Sequence, residues 1–482
     1  MLRKYPDNFL FGTAISAFQT EMGHSHESIS PYSDWYEWVH NSEIIKKTYV
    51  SGDFPDDGPD FWDNYKSFID KAAYMENNAI RLGIDWARIF KKSTEAVNVD
   101  VKRNEKGDIF NINFTGKSME QLEMLADKEA IKHYADILMY AKSKNLKIIL
   151  TIYHWPLPLW LHDPVAMNSS PESTEKSGWM NKKSVIEFGK YVYYIFNKLH
   201  EYVDIWHTIN EANIIAINGY LYGNLEGFPP GLSDYSMAKT VLRNLAYAHN
   251  VAYKIIKNID PGSTVGINIA APFFYPEYNT PKNNFISNYV HYLFIEMFLD
   301  SALYGNFDNS FSGIADESRP YEFAGTDYIG VDYYNRISVR YVDNDNVDIR
   351  YRYAFLPCKN CSDNYWDIYP EGLRMVLIKL FNKYHKSLMV MENGVADADG
   401  KFRNNFIKNH LVELHKAIKE DFLPVTGYFY WSLMDNYEWA AGYKYKFGLY
   451  SYSNGQYEPT SSVELYKQVC HEHGIEDSAS KP

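Results

Sequence analysis

Leu388-Met389-Val390-Met391-Glu392-Asn393-Gly394 is an apolar run that stops abruptly at a carboxylate, an amide and a glycine. Such a run reads as a buried strand, with the glycine at the turn that leaves it. Ile205-Trp206-His207-Thr208-Ile209-Asn210-Glu211 has the same build, largely apolar and finishing in an amide and a carboxylate, Asn-Glu. Segments 9–16, 79–89, 147–155, 264–270, 328–334 and 425–433 repeat the pattern, mostly separated by helix-length amphipathic stretches such as 61–75, 127–144, 184–202 and 236–258. Strands alternating with helices imply a parallel sheet, and eight of them imply the closed (β/α)8 TIM barrel, an α/β fold. A doubly wound open sheet, the competing topology, would want a glycine-rich phosphate turn after the first strand, which this chain lacks.

By length alone, 482 residues would suggest about three domains. No linker breaks the alternation, so the expectation is one barrel domain over 1–482 with a flexible tail at 475–482. Residues 24–59 read as a long loop kept ordered by Trp35, Tyr36 and Trp38, and 91–125 as a polar insertion. A net charge of −13 without any Lys/Arg run disfavours a nucleic-acid partner. Three cysteines are too few for a disulfide framework, and Cys358-Lys359-Asn360-Cys361 is only half of a typical structural zinc site, which disfavours metal or redox use. Met1-Leu2-Arg3-Lys4-Tyr5-Pro6 carries no signal-peptide apolar stretch, and nowhere do ~18 apolar residues run unbroken. The expected compartment is therefore the cytoplasm, with no membrane partner.

The C-terminal ends of the expected strands are polar: Gln19, His154-Trp155, Asn210-Glu211, Tyr334, Glu392-Asn393, then Trp431, Asp435, Asn436, Glu438 and Trp439. In a barrel those ends face one mouth, where active sites sit. Breaking a glycosidic bond needs a proton for the leaving oxygen and a nucleophile or activated water at the anomeric carbon, and two carboxyl groups suffice. One must stay protonated, through burial or a neighbouring negative charge. The other must stay ionised, which an adjacent arginine favours. Arg81, inside an apolar strand, is costly unless it pairs with a carboxylate, and fits that need. Metal chemistry is the enzymatic rival, given His24, His26, His154, His162 and His207, but no H-E-x-x-H motif is present. No metal or other cofactor is expected.

Thr208-Ile209-Asn210-Glu211-Ala212 and Val390-Met391-Glu392-Asn393-Gly394 resemble T-x-N-E-P and [IV]-T-E-N-G, the two signatures of the retaining β-glycosidases of glycoside hydrolase family 1. Asp34-Trp35-Tyr36-Glu37-Trp38-Val39-His40, Gly58-Pro59 with Phe61-Trp62, and Trp86-Ala87-Arg88-Ile89-Phe90 look like its archaeal branch. The resemblance implies Glu211 as acid/base, Glu392 as nucleophile and Asn210 at the sugar 2-hydroxyl. Arg81 and Tyr334 would hold the nucleophile ionised and oriented. Gln19, His154, Trp155, Glu438 and Trp439 would bind the hydroxyls of the terminal sugar, with Trp431 as stacking platform. It further implies double displacement on unphosphorylated β-glucosides, β-galactosides or β-fucosides, transglycosylation when acceptor sugar is abundant, and a tetramer.

Four positions depart from the family pattern: Ala212 for proline, Met391 for threonine, Gly83 for a polar residue and Asp332 for the asparagine of G-x-N-Y-Y. Asp332 is the consequential one. Ionised, it would disfavour charge on its carboxylate neighbours; protonated, it would stand in for the amide as a donor. Two other classes compete with a hydrolase: a carbohydrate-binding or thioglycoside-type protein that has lost its acid, and a barrel enzyme using metal or phosphate chemistry. Retention of both Glu211 and Glu392 disfavours the first.

Overall fold

The computed structural model describes residues 2–343, 353–453 and 456–476. Eight parallel strands close a barrel: β1 (Leu10–Ala14), β2 (Ala79–Gly83), β3 (Lys147–Tyr153), β4 (Ile205–Ile209), β5 (Thr264–Ala270), β6 (Tyr328–Asp332), β7 (Ser387–Asn393) and β8 (Val425–Trp431). Each strand pairs with its neighbours in sequence, and β8 closes on β1 through Tyr428 opposite Phe11 and Trp431 opposite Ala14. Side chains alternate across the sheet. Leu10, Ala79, Ile149, Met389 and Phe429 thus belong to the interior cluster, while Phe11, Ile80, Ile148, Leu150, Leu388 and Val390 join the layer beneath the helices.

That outer layer is α1 (Phe61–Tyr74), α2 (Lys128–Ser143), α3 (Lys183–Leu199), α4 (Tyr235–Ile259), α5 (Met297–Tyr304), α6 (Pro370–Tyr384), α7 (Arg403–Lys419) and α8 (Ser462–Glu472). Local signals start several of them. Asp127 accepts from Glu129 and Ala130 at the head of α2, and Asp234 from Met237 at the head of α4, each satisfying an otherwise unpaired helix N–H.

Several local expectations need correction. The strand read over 79–89 ends at Gly83, because Asp85 caps a short helix, Trp86–Ile89, by accepting from the Ala87 N–H. The loop at 24–59 contains two helices, Asp34–His40 capped by Ser33 and Ser42–Lys46 capped by Asn41. The insertion at 91–125 is an antiparallel pair, Asp100–Arg103 with Ile109–Asn113, followed by helix Gly116–Leu125 on a Thr115/Ser118 capping box. Cys358 and Cys361 are joined in a disulfide rather than offered to a metal. At the C-terminus, Gly474–Glu476 pairs with Leu2–Lys4, and the remainder of the expected tail, 477–482, lies outside the described residues. Among the described residues no helix is long and apolar enough to cross a membrane.

Two excursions shape the barrel mouth. A three-stranded sheet of Phe273–Pro276, Arg336–Tyr341 and Tyr353–Leu356 brings Ile337 and Phe355 to the cavity. Two π-helical turns, Ile217–Leu221 and Tyr292–Glu296, bring Ile217, Asn218 and Phe294. Such turns recur at functional sites because the extra residue re-aims a helix face.

Candidate active site

Glu392 lies on β7 and Glu211 directly past the end of β4, and both are buried. A register shift between β6 and β7 sets Asp332 opposite Glu392 instead of Met391. A bulge of this kind turns a side chain against the strict alternation of a strand. Glu211 takes left-handed backbone, φ 42°, ahead of helix Ala212–Ala216. Ala212 stands at the first position of that helix, which a proline suits but an alanine also fills without loss. Oxygen atoms of Glu211, Asp332 and Glu392 come within 4.8 Å of one another. Retaining glycosidases hold their two carboxyls about 5–5.5 Å apart, whereas inverting ones leave about 6.5–9.5 Å for a water.

Arg81 from β2 answers the question its position raised. Its Nη1 donates to Glu392 Oε1 at 2.5 Å, its Nε to Thr151 Oγ1 at 3.0 Å, and its Nη2 to Asn210 Oδ1. The Tyr334 hydroxyl donates to the other Glu392 oxygen. Burial pushes Glu392 upward, but Arg81 and the Tyr334 hydroxyl pull the other way, so the carboxylate form has two dedicated partners. Glu211 is driven well above the usual range by burial first and by the charge of Glu392 second. On balance burial raises both carboxyls, Glu211 further than Glu392, which is the one with Arg81 and the Tyr334 hydroxyl bonded to it.

Asn268 on β5, which the sequence reading passed over, organises the rest. Its Oδ1 accepts from the Glu211 N–H at 2.8 Å, while its Nδ2 donates to Asn210 Oδ1 at 2.8 Å and to Asp332 Oδ2. An amide inside an otherwise apolar strand, Thr264–Ala270, was the signal available for it. Asn210 Nδ2 meets His154 Nε2 at 3.0 Å, which leaves Nδ1 of that ring to carry the proton. Burial and Arg81 keep His154 neutral.

A cavity of about 480 Å³ opens over these groups. Gln19, His154, Trp155, Glu211, Asp332, Tyr334, Glu392, Trp431, Glu438 and Trp439 all line it, so it gathers ten of the twelve expected site residues; Arg81 and Asn210 lie beneath as supports. Gln19 Nε2 donates to Asn436 Oδ1 at 3.1 Å and reaches Glu438 Oε2 at 3.4 Å. Burial, then the charge of Glu392, pushes Glu438 up to about 8. The Trp155 N–H is engaged by the Asn210 carbonyl at 3.1 Å, so that residue offers the cavity its ring rather than its N–H. Trp439 packs on Trp155 at 4.4 Å and on Phe18 at 5.6 Å. Asp435 and Asn436 are braces: Asp435 accepts from Gly448 and Tyr452, and Asn436 donates to Ser432 and Met434. The outer wall, Ile214, Ile217, Phe294, Ile337, Phe355 and Trp366, is apolar and was not anticipated.

Metal chemistry finds little support in the donor set. Among the described residues, Glu211, Asp332 and Glu392 form the one group spaced to hold a cation, and Arg81 already supplies a positive charge there. Of the histidines, His162 pairs with Asp34 and His207 with Asn268.

The family model described as glycosyl hydrolase family 1 matches residues 1–106 and 123–475. The chain is 33% identical over 481 residues to a β-galactosidase of Sulfolobus acidocaldarius, covering 98% of this chain and 96% of that one. It is 34% identical to a β-galactosidase of Saccharolobus solfataricus, with the same coverage. Among solved structures, the β-glycosidase of Thermosphaera aggregans superposes with a TM-score of 0.91 at 35% identity, covering 98% of each chain.

Proposed function

The chain belongs to glycosyl hydrolase family 1, whose members cleave β-glycosides with retention, and on that premise we propose that Glu392 is its nucleophile and Glu211 its acid/base. The observation that carries the assignment is the asymmetry between two neighbouring buried carboxyls: Glu392 holds Arg81 and Tyr334, while Glu211 pairs with no cation among the described residues and feels the charge of Glu392. In the first half-reaction the Glu211 proton moves to the glycosidic oxygen as a Glu392 oxygen attacks the anomeric carbon. The leaving alcohol departs and a glycosyl ester remains on Glu392. In the second, Glu211 takes a proton from water, the hydroxide attacks the same carbon, and Glu392 is released with the original configuration restored.

Gln19, His154, Trp431, Glu438 and Trp439 recognise the terminal sugar, with Trp155 as part of the wall. Asn210, anchored by Arg81 and Asn268, serves the 2-hydroxyl. The substrates are unphosphorylated β-D-glucosides, β-D-galactosides and β-D-fucosides, attacked at the non-reducing end, with transfer to sugars when acceptor is abundant. The charge already felt by Glu438 from Glu392 argues against a second anion at the sugar 6-position. One barrel domain with long loops carries the activity in the cytoplasm, as a homotetramer. The tetramer draws support from a solved β-glucosidase mutant, 33% identical and described as derived from a hyperthermophilic tetrameric structure.

A 2-fluoro β-glycoside with a good leaving group tests the assignment. Peptide mapping should find the trapped sugar on Glu392, with one equivalent of leaving group released; a label on Glu211 or Asp332, or none, would overturn it.

A further inference from the structure

Asp332 is a third carboxyl in a site whose chemistry uses two. It ends β6, is 1% exposed, and lines the same cavity as Glu211 and Glu392. Its two oxygens differ. Oδ2 accepts from Asn268 Nδ2, whereas Oδ1 is buried and meets no donor among the described residues. A Glu211 carboxyl oxygen lies within 4.8 Å of an Asp332 oxygen. Two carboxylates cannot bond to each other, so a hydrogen bond between these two requires a proton on at least one of them.

Charges around Asp332 come from every packed element. Glu392 faces it from β7, Glu211 from the end of β4, and Arg81 from β2, while Tyr334 and Tyr328 are neutral hydroxyls. His207, beyond Asn268, is held neutral by burial. One guanidinium therefore serves three carboxyls, and it is bonded directly to Glu392. Burial, then the charges of Glu392 and Glu211, push Asp332 well above the usual carboxyl range.

We propose that Asp332 is a proton-holding positioning residue: its Oδ1–H donates to Glu211, and does so most strongly once Glu211 has passed its own proton to the leaving group. The inference rests on Glu211 being the acid/base. In the first half-reaction the Glu211 O–H and the C1–O bonds break and the Glu392–C1 bond forms; the Asp332 proton stays on Asp332 and stabilises the new Glu211 carboxylate. In the second, water reprotonates Glu211, and Asp332 again neither gains nor loses a proton. Asn268 makes the geometry specific, because one amide grips the Glu211 backbone with its oxygen and Asp332 Oδ2 with its nitrogen. Asp332 thus makes Glu211 a stronger acid than the buried site alone would allow, which sets the alkaline edge of activity lower.

The sign of a pH shift tests this. Asp332→Leu removes the donor and should move the alkaline limb of kcat/KM upward by about one unit, the size of a charge-assisted hydrogen bond. It should also cost roughly tenfold with a poor leaving group, since one unit of pKa is a tenfold difference. Asp332→Asn keeps an N–H donor of the same shape and should restore the low-pH rate to within about threefold of wild type. Difference infrared spectra of wild type against Asp332→Asn, at mildly acid pH, should lose one protonated-carboxyl band in the variant. A downward shift in Asp332→Asn, or no such band, would mean that Asp332 is ionised and overturn the proposal. Covalent trapping of wild type on Glu392 reports separately on the reading beneath it.

Discussion

Arg81 and Glu392 form a buried ion pair, 2.5 Å between Nη1 and Oε1, with side chains 1% and 4% exposed. Removing one partner strands the other charge. Arg81→Met should cost about 3–5 kcal/mol of stability by denaturant unfolding. Its loss also raises Glu392, because the ionised form loses its counter-charge. The nucleophile must be ionised, so the acid limb of the pH–kcat/KM profile should move to higher pH. An unmoved acid limb would show that Arg81 does not tune Glu392.

Glu392→Ala should lower kcat by at least about 10⁴-fold, the order that losing a covalent nucleophile costs. Azide or formate, small enough for the vacated space, should restore part of the turnover of an activated aryl glycoside. The product of azide rescue should be the α-glycosyl azide, formed on the face Glu392 occupied.

Glu211→Ala should spare the first half-reaction of substrates whose leaving group needs no proton and cripple the rest. Dinitrophenyl glycosides should outpace methyl glycosides by a far larger factor than in wild type. Because burial and Glu392 raise Glu211, wild-type activity should fall as pH climbs through its pKa, and the variant should lose that descending limb. Equal sensitivity to the leaving group in both proteins would exclude Glu211 as the acid.

Glu21 is pushed up to about 7 by burial, opposed by Arg88, and Glu438 up to about 8. Unfolded glutamates titrate near 4.3, so between that value and these the native state holds protons that the unfolded chain has released. Stability is then fully present below about pH 4.3 for these groups and declines as pH rises through 7 to 8. The unfolding free energy should be lower at pH 8.5 than at pH 5.5 by roughly a few kcal/mol, and the melting temperature lower with it. Glu438→Gln should flatten part of that slope.

A β-glucoside should be favoured over its 6-phosphate by at least about tenfold in kcat/KM above about pH 8, where Glu438 is ionised and placing like charges together costs several kcal/mol. Preference for the phosphorylated substrate would remove Glu438 from sugar recognition at that position.

Much of this protein is legible locally. Alternating strands and amphipathic helices announce the barrel, because side-chain periodicities of two and 3.6 follow from backbone geometry alone. Asn210-Glu211 just past β4 and Glu392-Asn393 at the end of β7 mark the two carboxyls, and Arg81 inside β2 demands a partner. Other features were missed for equally physical reasons. Asp85 ends the second strand early by capping a helix, a competition between two plausible local structures. The helices within 24–59 depend on the short polar caps Ser33 and Asn41 in a stretch rich in turn-forming residues.

The sequence by itself determined which residue types stand at the strand ends, and hence the family and the reaction. Only the tertiary structure decided which of them meet. Closure of the barrel brings Arg81, Asn268 and Glu392 together across 311 residues of chain, and the bulge at β7 sets Glu392 beside Asp332. Protonation states follow from that closure, because desolvation and the nearness of other charges are properties of a packed site, and no single strand carries them.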